Sequence, residues 1–459
     1  MPTVTPGFDP NWLQQQPAPP GYGDAHPSLL GAASAIARAL PDNIAGQPWL
    51  LALSAPEDFA AALLALWHKG AIAVLSADTQ PGTVAELGAS VAGLLSDEEV
   101  PAFTGPQHTL PFAAPGPAPT IRCGDYDPTA TALQLFTSGT TGNRRIIGKT
   151  FAQLFNEVHN LEATFGTTDL PAFTTVSHLH IYGLLFNILW PLVGRRPLPP
   201  RRSLYWEEIL TAARDQGAWI TASPPHLRFL PDIAATLPFA WGASRIFSSG
   251  GPLSPEVSRR IAEVTGAAPI EIYGSTETGG IAHRQQHATD TTPFRAFAPV
   301  DIRQGQDDEL EARSPWLDTP HWTPTGDRAK PAGERCFFLL GRVDQIAKIA
   351  GKRVSLTEMN AVLSAVPHIE SARVLQITGD DHASRASLAA VLQVSAELKD
   401  RLESHPQERK DLIAQLRHAL AQRFEPVVWP RKWRFIDAWP FDERGKLRQD
   451  ALERLVRRE

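Results

Sequence analysis

Phe136-Thr137-Ser138-Gly139-Thr140-Thr141-Gly142 follows directly on the apolar stretch Ala132-Leu133-Gln134-Leu135, and this junction limits what the chain can build around it. The apolar stretch reads as a strand, and the run after it reads as a loop suited to wrapping phosphate oxygens. Glycines let the backbone approach an anion and turn its N–H groups inward, while Thr137, Ser138, Thr140 and Thr141 add hydroxyl donors without bulk. A nucleotide is the ligand this loop predicts. Taken alone, the segment also reads as a Ser/Thr-rich surface turn.

The continuation Gly142-Asn143-Arg144-Arg145-Ile146-Ile147-Gly148-Lys149-Thr150 has the look of a P-loop. Five residues separate its glycines, where that motif has four, so the cradle falls out of register with the Lys and Thr. A P-loop NTPase is therefore not expected.

A chain of 459 residues is too long for one compact core and predicts a large domain with a smaller one. Trp49 to Leu53, the helical pattern from Phe59 to Trp67, and Ala71 to Leu75 form a β-α-β pattern, which points to parallel sheets covered by helices and an α/β fold class. Residues 1 to about 45, rich in Pro, Ala and Gly, read as an irregular lead-in, and the five prolines of 102–120 read as a connecting loop. Phe151, Leu154, Phe155, Val158, Leu161 and Phe165 recur at helical spacing and predict a buried helix face.

No apolar run approaches the roughly 20 residues of a membrane span, and Gly183 to Val193 suits a short buried helix. The N-terminus has no basic start followed by an apolar core, so no export signal is visible and the cytoplasm is the expected location. Cys123 and Cys336 match no metal-ligand spacing and are expected to be reduced. The net charge of −6 does not point to a nucleic acid partner, and it is unevenly spread. Residues 345–459 carry 20 Lys and Arg against 16 Asp and Glu, a net of +4, while the rest of the chain has 23 against 33, a net of −10. A basic C-terminal part could attract an acidic partner or a phosphate-bearing thiol. An ordinary solvated surface is the alternative.

Further segments follow in order. Tyr273-Gly274-Ser275-Thr276-Glu277-Thr278 comes after the strand-like Pro269-Ile270-Glu271-Ile272 and puts hydroxyls and a carboxylate at a strand end. Thr325-Gly326-Asp327 offers a carboxylate in a turn. Gly341-Arg342-Val343-Asp344-Gln345 leads into Lys348-Ile349-Ala350-Gly351-Lys352-Arg353, with Glu358 beyond, and Gly445-Lys446 lies near the C-terminus.

With these motifs, in this order, the chain from about residue 45 onward resembles the adenylate-forming superfamily of acyl-CoA synthetases, aryl-CoA ligases, luciferases and peptide-synthetase adenylation domains. The resemblance implies a large N-terminal domain of helix-covered sheets, residues 1–343, and a mobile α+β domain, residues 344–459, with Asp344 as the hinge. A turn residue paired with Arg342 or Lys348 is the other reading of Asp344. It also implies attack of a substrate carboxylate on the α-phosphorus of ATP, giving an acyl adenylate and pyrophosphate, followed by transfer to a thiol.

By the same resemblance, Thr137, Ser138, Gly139, Thr140, Thr141 and Gly142 would hold the β- and γ-phosphates. Gly274 and Ser275 would border the nucleotide, Thr276 would contact the α-phosphate, and Glu277 would help hold Mg²⁺. Asp327 would accept hydrogen bonds from the ribose and Arg342 would donate to ribose and phosphates. Lys446 would bridge the substrate carboxylate and the α-phosphate. His180, Gly183, Gly250, Gly251 and Tyr273 would line the acid, and Lys348 and Gly351 the passage for a pantetheine arm. Arg353 and Glu358 could form a plain surface ion pair.

Departures from the pattern include Asn143-Arg144-Arg145-Ile146 where x-Pro-Lys-Gly is usual, Gln345 for a second carboxylate after the hinge, and a Gly250-Gly251-Pro252 run one residue short. The short N-terminus and Lys149-Thr150-Phe151-Ala152-Gln153-Leu154 look similar to stand-alone AMP-ligases of aryl-polyene and xanthomonadin-type pigment pathways, which load acyl carrier proteins. The leading expectation is an ATP-dependent ligase that adenylates a small aromatic acid, such as a hydroxybenzoate, and passes it to a carrier-protein pantetheine. An acyl- or aryl-CoA synthetase using free CoA is the alternative, and a catalytically silent nucleotide binder is the reading of another class.

Overall fold

Short, largely apolar strands buried on both faces, Pro48–Ala52, Ile72–Ser76 and Gly93–Ser96, form the centre of the first sheet, as parallel sheets require. Strands β1 (Pro48–Ala52), β2 (Ile72–Ser76), β3 (Gly93–Ser96), β4 (Gln107–Thr109), β5 (Thr131–Ser138) and β6 (Arg144–Thr150) lie in the order β4-β3-β1-β2-β5-β6. β1 to β5 pair in parallel and β6 returns antiparallel to β5. The helix Pro56–His68 links β1 to β2. It opens with Pro at its first turn and with Glu57 and Asp58 toward the positive end of its dipole. The β-α-β unit and the helix Phe151–Phe165 form as their patterns predict.

In the computed structural model the described residues are 25–76, 81–110, 121, 126–138, 144–166, 170–194, 196–237, 241–242, 244–286, 292–343, 346–349, 352–377, 387–441, 447 and 449–457. The lead-in is not irregular throughout, because Ala25–Ala39 is a helix whose Leu29, Ala33 and Ile36 recur at helical spacing and are buried, an alanine-rich face that the Pro and Gly content masked. The Pro-rich connection likewise contains the edge strand β4.

The chain divides into two compact units. The first comprises Met1–Arg303, Glu311–Thr325 and Pro331–Phe338, and the second Gln304–Leu310, Gly326–Lys330 and Leu339–Glu459. The first unit holds the six-stranded sheet and a second one in which β7 (Ala172–Thr174), β8 (Trp219–Ala222), β9 (Arg245–Ser248) and β10 (Ile270–Ser275) run parallel. β11 (Gly279–Gln285) and β12 (Phe294–Ala296) continue it antiparallel. Strands β13 (Asp301–Gln304), β14 (Glu309–Arg313), β15 (Thr323–Pro331) and β16 (Cys336–Arg342) contribute residues to both units.

In the second unit the two-stranded β17 (Ile346–Ile349) and β18 (Lys352–Ser355) precede a three-stranded sheet of β19 (Ser371–Ile377), β20 (Ser387–Gln393) and β21 (Lys432–Ile436). β20 is apolar on both faces. Leu388, Ala390 and Leu392 pack with Met359, Leu416 and Leu420 of the helices Leu356–Ser364 and Pro406–Ala421. Ala389 and Val391 pack with Leu452 and Val456 of the helix Gln449–Arg457. The result is a mixed α/β protein with a large sheet-rich unit and a smaller C-terminal one.

Candidate active site

Ligands of open α/β sheets collect beyond the carboxyl ends of the parallel strands, and the motif residues of the first unit lie there. Thr137 and Ser138 end β5, Thr175 to His180 follow β7, Ser249 to Gly251 follow β9, and Tyr273 to Glu277 end β10. β5 and β6 stay paired to their ends, Thr137 opposite Arg145 and Ser138 opposite Arg144. A P-loop would open a helix at this place. Here the chain enters a strand, which agrees with the spacing argument. Gly139, Thr140, Thr141, Gly142, Asp344, Gly351 and Lys446 lie outside the described residues.

The Tyr273–Thr278 motif forms a tight hairpin between β10 and β11, with Ser275 opposite Gly279 and a register shift between Tyr273 and Gly274. Two glycines make this possible. A Cβ at Gly274 would stand 2.1 Å from the Gly279 carbonyl oxygen, and Gly279 has φ of 64° with Glu157 Oε2 2.5 Å from its Cβ position. Ser275 and Thr278 close the turn on each other: the Thr278 N–H donates to Ser275 Oγ and the Ser275 N–H to Thr278 Oγ1, both at 3.1 Å. Thr276, half-buried, and Glu277, exposed, are left at the apex. Their hydroxyl and carboxylate are hard oxygen donors that suit Mg²⁺. Among the described residues no three of His, Cys, Asp and Glu gather into a metal cage. A magnesium ion shared between one carboxylate and substrate phosphates does not require one.

The segment after β7 is held from both sides. His178 Nε2 meets the Leu53 carbonyl at 2.8 Å, and Asn187 Nδ2 donates to Thr174 Oγ1 and the Val176 carbonyl at 2.9 and 3.1 Å. Asn187 lies in a π-helical turn, Leu185–Leu189, an irregularity common near functional sites. His178 is thus the packed histidine of this run, and burial lowers its pKa. His180 is exposed at the N-cap of Ile181–Leu184. A Cβ at Gly183 would stand 2.0 Å from the Ser177 carbonyl oxygen, so glycine permits the close approach. Ser249 Oγ donates to the Ile272 carbonyl at 2.9 Å, fixing the chain that leads into Gly250 and Gly251 to the strand that carries Tyr273. Tyr182, next to His180, donates to the Ala222 carbonyl at 3.2 Å at the end of β8.

The second unit carries Asp327, Arg342 and Lys348. Asp327 lies within β15 instead of a turn, because backbone pairing carries on through Gly326, which takes φ of 76° and donates its N–H to Glu309 Oε1 at 3.0 Å. Arg342 ends β16, its Nη1 3.7 Å from Asp327 Oδ1, so the two residues assigned to the ribose are neighbours. Lys348 sits in β17 opposite Arg353 of β18. Glu358, in the helix Leu356–Ser364, pairs at 3.3 Å with Arg423 in the turn after the helix Pro406–Ala421, a partner that sequence proximity did not reveal.

What the motifs miss is the buried polar face of the helix Phe151–Phe165. Gln153, Glu157 and Asn160 recur at four and three residues and are all buried, as is Lys149 in the strand before them, only 2% exposed. The helix starts with a capping box between Thr150 and Gln153, and Gln153 Nε2 then donates to Asp318 Oδ1 at 2.8 Å. Lys149 Nζ donates to the Glu277 carbonyl oxygen at 2.9 Å, while Glu157 Oε1 accepts the Gly280 N–H at 2.5 Å. The signal in the sequence is a polar stripe at helical spacing beside the apolar one, with a basic residue just ahead of it.

Burial pushes the Glu157 carboxyl up to about 7, against the Gly280 N–H and the Lys149 charge that favour its ionised form. Burial also lowers the Lys149 pKa, opposed by Glu157, Asp318 and Glu277. The folded state therefore binds the Glu157 proton more tightly than the unfolded chain, so this group's contribution to stability declines as pH rises from about 4.5 toward 7. We expect the stability of wild type relative to Glu157→Gln to be greater at pH 5 than at pH 8, by up to about 3 kcal/mol. Denaturant unfolding at the two pH values measures it, and a difference that does not change with pH would contradict the assignment.

The chain is similar to proteins of known sequence and structure. A 4-coumarate–CoA ligase of Rhodobacter capsulatus is 28% identical over 333 residues, covering 69% of this chain and 75% of the relative. The fold is shared with o-succinylbenzoate coenzyme A synthetase from Bacillus subtilis in complex with AMP, at a TM-score of 0.78 and 18% identity over 97% of this chain and 98% of that one. An anthranilate CoA ligase in complex with anthranoyl-AMP shares it too, at a TM-score of 0.72 and 15% identity over 94% and 92% of the two chains. The family model described as AMP-binding enzyme matches residues 69–300, which span the β5–β6 hairpin, the segment after β7 and the Tyr273–Glu277 turn. The chain belongs to the AMP-binding enzyme family and is an AMP-forming ligase.

Proposed function

We propose that the protein adenylates a small aromatic carboxylic acid with ATP and passes the acyl group to the pantetheine thiol of an acyl carrier protein. The observation that carries the adenylation half is the Thr276–Glu277 apex at the carboxyl edge of β10, on the same edge of the sheet as the segments after β7 and β9 and in one unit with the β5–β6 hairpin. An aromatic acid is supported by the 4-coumarate–CoA ligase relative. The carrier protein is supported by the basic balance of residues 345–459, since carrier proteins are acidic. The pigment-type AMP-ligases that the Lys149–Leu154 segment resembles load such carriers. Among the described residues no helix is long and apolar enough to cross a membrane. A cytoplasmic location is part of the proposal.

Two anions must meet, so fixed donors and cations supply most of the rate by positioning and electrostatics. In this reading the loop from Thr137 to Gly142 holds the β- and γ-phosphates, and Gly274 and Ser275 border the nucleotide. The Thr276 hydroxyl donates to the α-phosphate, and Glu277 would hold Mg²⁺, which when bound would offset phosphate charge. Asp327 accepts from the ribose hydroxyls and Arg342 donates beside them. His180, Gly183, Gly250, Gly251 and Tyr273 line the acid. Lys446 bridges the attacking carboxylate and the α-phosphate, and its compact ammonium on a flexible stem suits delivery and withdrawal. Asp344 is the hinge for that change, dividing residues 1–343 from 344–459. Lys348 and Gly351 then line the pantetheine passage.

The acceptor test offers the purified, acid-charged enzyme either free CoA or a holo-carrier protein. Transfer to the carrier alone supports the proposal. Transfer to CoA selects the second reading, a CoA synthetase, which the name of the 4-coumarate–CoA ligase relative favours. A bulky replacement such as Gly351→Leu is expected to slow thioester formation at least tenfold more than adenylation, because a side chain there narrows the passage. Equal loss in single-turnover assays of the two steps would count against that role.

A further inference from the structure

Lys149 and Glu157 raise a question that the proposed chemistry leaves open. Ionisable side chains are rarely buried without a task for their charge, and these are 2% and 4% exposed. Neither follows from the motifs. Each has its shorter or sole described hydrogen bond on backbone of the same short hairpin: Lys149 donates to the carbonyl of Glu277 at 2.9 Å, and at 3.5 Å to that of Trp316, while Glu157 accepts the N–H of Gly280. The Trp316 indole N–H also donates to the Gly280 carbonyl, at 3.1 Å, so the strand leaving the turn is held on both of its polar groups. The space that Glu157 uses exists only because residues 279 and 280 are glycines, since a Cβ on them would stand 2.5 and 3.2 Å from its carboxylate oxygens.

We propose that Lys149 and Glu157 are positioning residues that clamp the far side of the β10–β11 hairpin, at Glu277 and Gly280, and thereby fix the direction in which Thr276 and Glu277 present their oxygens. The clamp begins on β6, the strand paired with β5, so the element that lies opposite Thr137 and Ser138 also holds the turn proposed to bind the metal. With backbone atoms as the targets, the clamp acts on the turn whatever its side chains. The inference rests on the roles proposed above for Thr276 and Glu277.

A purely structural role would lower the folded fraction and reduce all rates alike. A positioning role instead splits the kinetic parameters. In acid-dependent exchange of labelled pyrophosphate into ATP, Lys149→Met is expected to lower kcat by about 10²-fold, the cost of about 1 Å of misplacement. It should also raise the Mg²⁺ concentration needed for half-maximal rate while leaving the acid KM unchanged. Glu157 provides the second variant in case Lys149→Met does not fold. Glu157→Leu removes the acceptor for the Gly280 N–H, and Glu157→Gln keeps an amide oxygen there, so Gln should recover at least tenfold of the activity lost with Leu.

The same rate constants with unchanged Mg²⁺ dependence, or equal activity in Glu157→Leu and Glu157→Gln, would overturn the clamp. Glu277→Gln, assayed in parallel, separates the two levels of the argument. If it raises the Mg²⁺ requirement and Lys149→Met does not, the clamp alone is wrong. If Glu277→Gln leaves the Mg²⁺ requirement unchanged, the reading on which the clamp rests is wrong.

Discussion

Lys446→Ala is expected to reduce acid-dependent pyrophosphate exchange by about 10²- to 10³-fold, the scale of removing one charge-stabilising donor from a reacting centre. Binding of ATP, measured by titration without acid, should stay close to that of wild type. The split follows from the chemistry. In the proposed mechanism the nucleotide is held by the donors of the phosphate loop and by Thr276, Asp327 and Arg342, whereas repulsion between the incoming carboxylate and the α-phosphate arises only as they approach. A cation that bridges them therefore acts on the rate and hardly on nucleotide affinity. Adenylation that is unchanged in the variant would remove Lys446 from the mechanism.

Gly274→Ala should be nearly as damaging for a steric reason. The added Cβ would stand 2.1 Å from the Gly279 carbonyl oxygen and 2.9 Å from the Gly280 Cα, both backbone atoms that cannot turn aside. The hairpin must open, which displaces Thr276 and Glu277, and about 1 Å of displacement costs on the order of 10²-fold in rate. Overpacking of this kind also costs about 1–3 kcal/mol of stability. Gly251→Ala is the contrast in stability. That glycine has nothing within 4 Å of its Cβ position, so its thermal unfolding should match wild type. Equal unfolding temperatures and equal exchange rates for Gly274→Ala and wild type would show that the hairpin has slack the structure does not indicate.

Much of the first unit was legible because its signals are local. The apolar runs around Leu50 and Val74, with a helical pattern between them, specify parallel strands, and the apolar stripe from Phe151 to Phe165 specifies its helix. The Tyr273–Glu277 motif was legible for the same reason, since its glycine, hydroxyls and carboxylate are contiguous. What sequence reading misplaced depends on partners far along the chain. Asp327 was assigned to a turn from a Thr-Gly-Asp triplet, but strand pairing carries through a glycine of positive φ. Glu358 has an ion-pair partner in Arg423, 65 residues away, which no local pattern announces.

Lys149 and Glu157 were hidden for a similar reason. A Lys after a hairpin and a Glu on an amphipathic helix normally face solvent. Only the placement of residues 277–280 against them, more than 120 positions later in the chain, shows them to be buried and bonded. The spacing of Gln153, Glu157 and Asn160 was the available clue, and it says where a second buried face lies without saying what it meets.

The most direct test of adenylation by this chain is acid-dependent exchange of labelled pyrophosphate into ATP, run over aromatic acids and fatty acids of graded length. Exchange that requires an acid and is strongest with a small aromatic one, such as a hydroxybenzoate, is the predicted result. Exchange that peaks with a fatty acid would contradict the substrate class, and its absence with every acid would contradict the proposed activity itself.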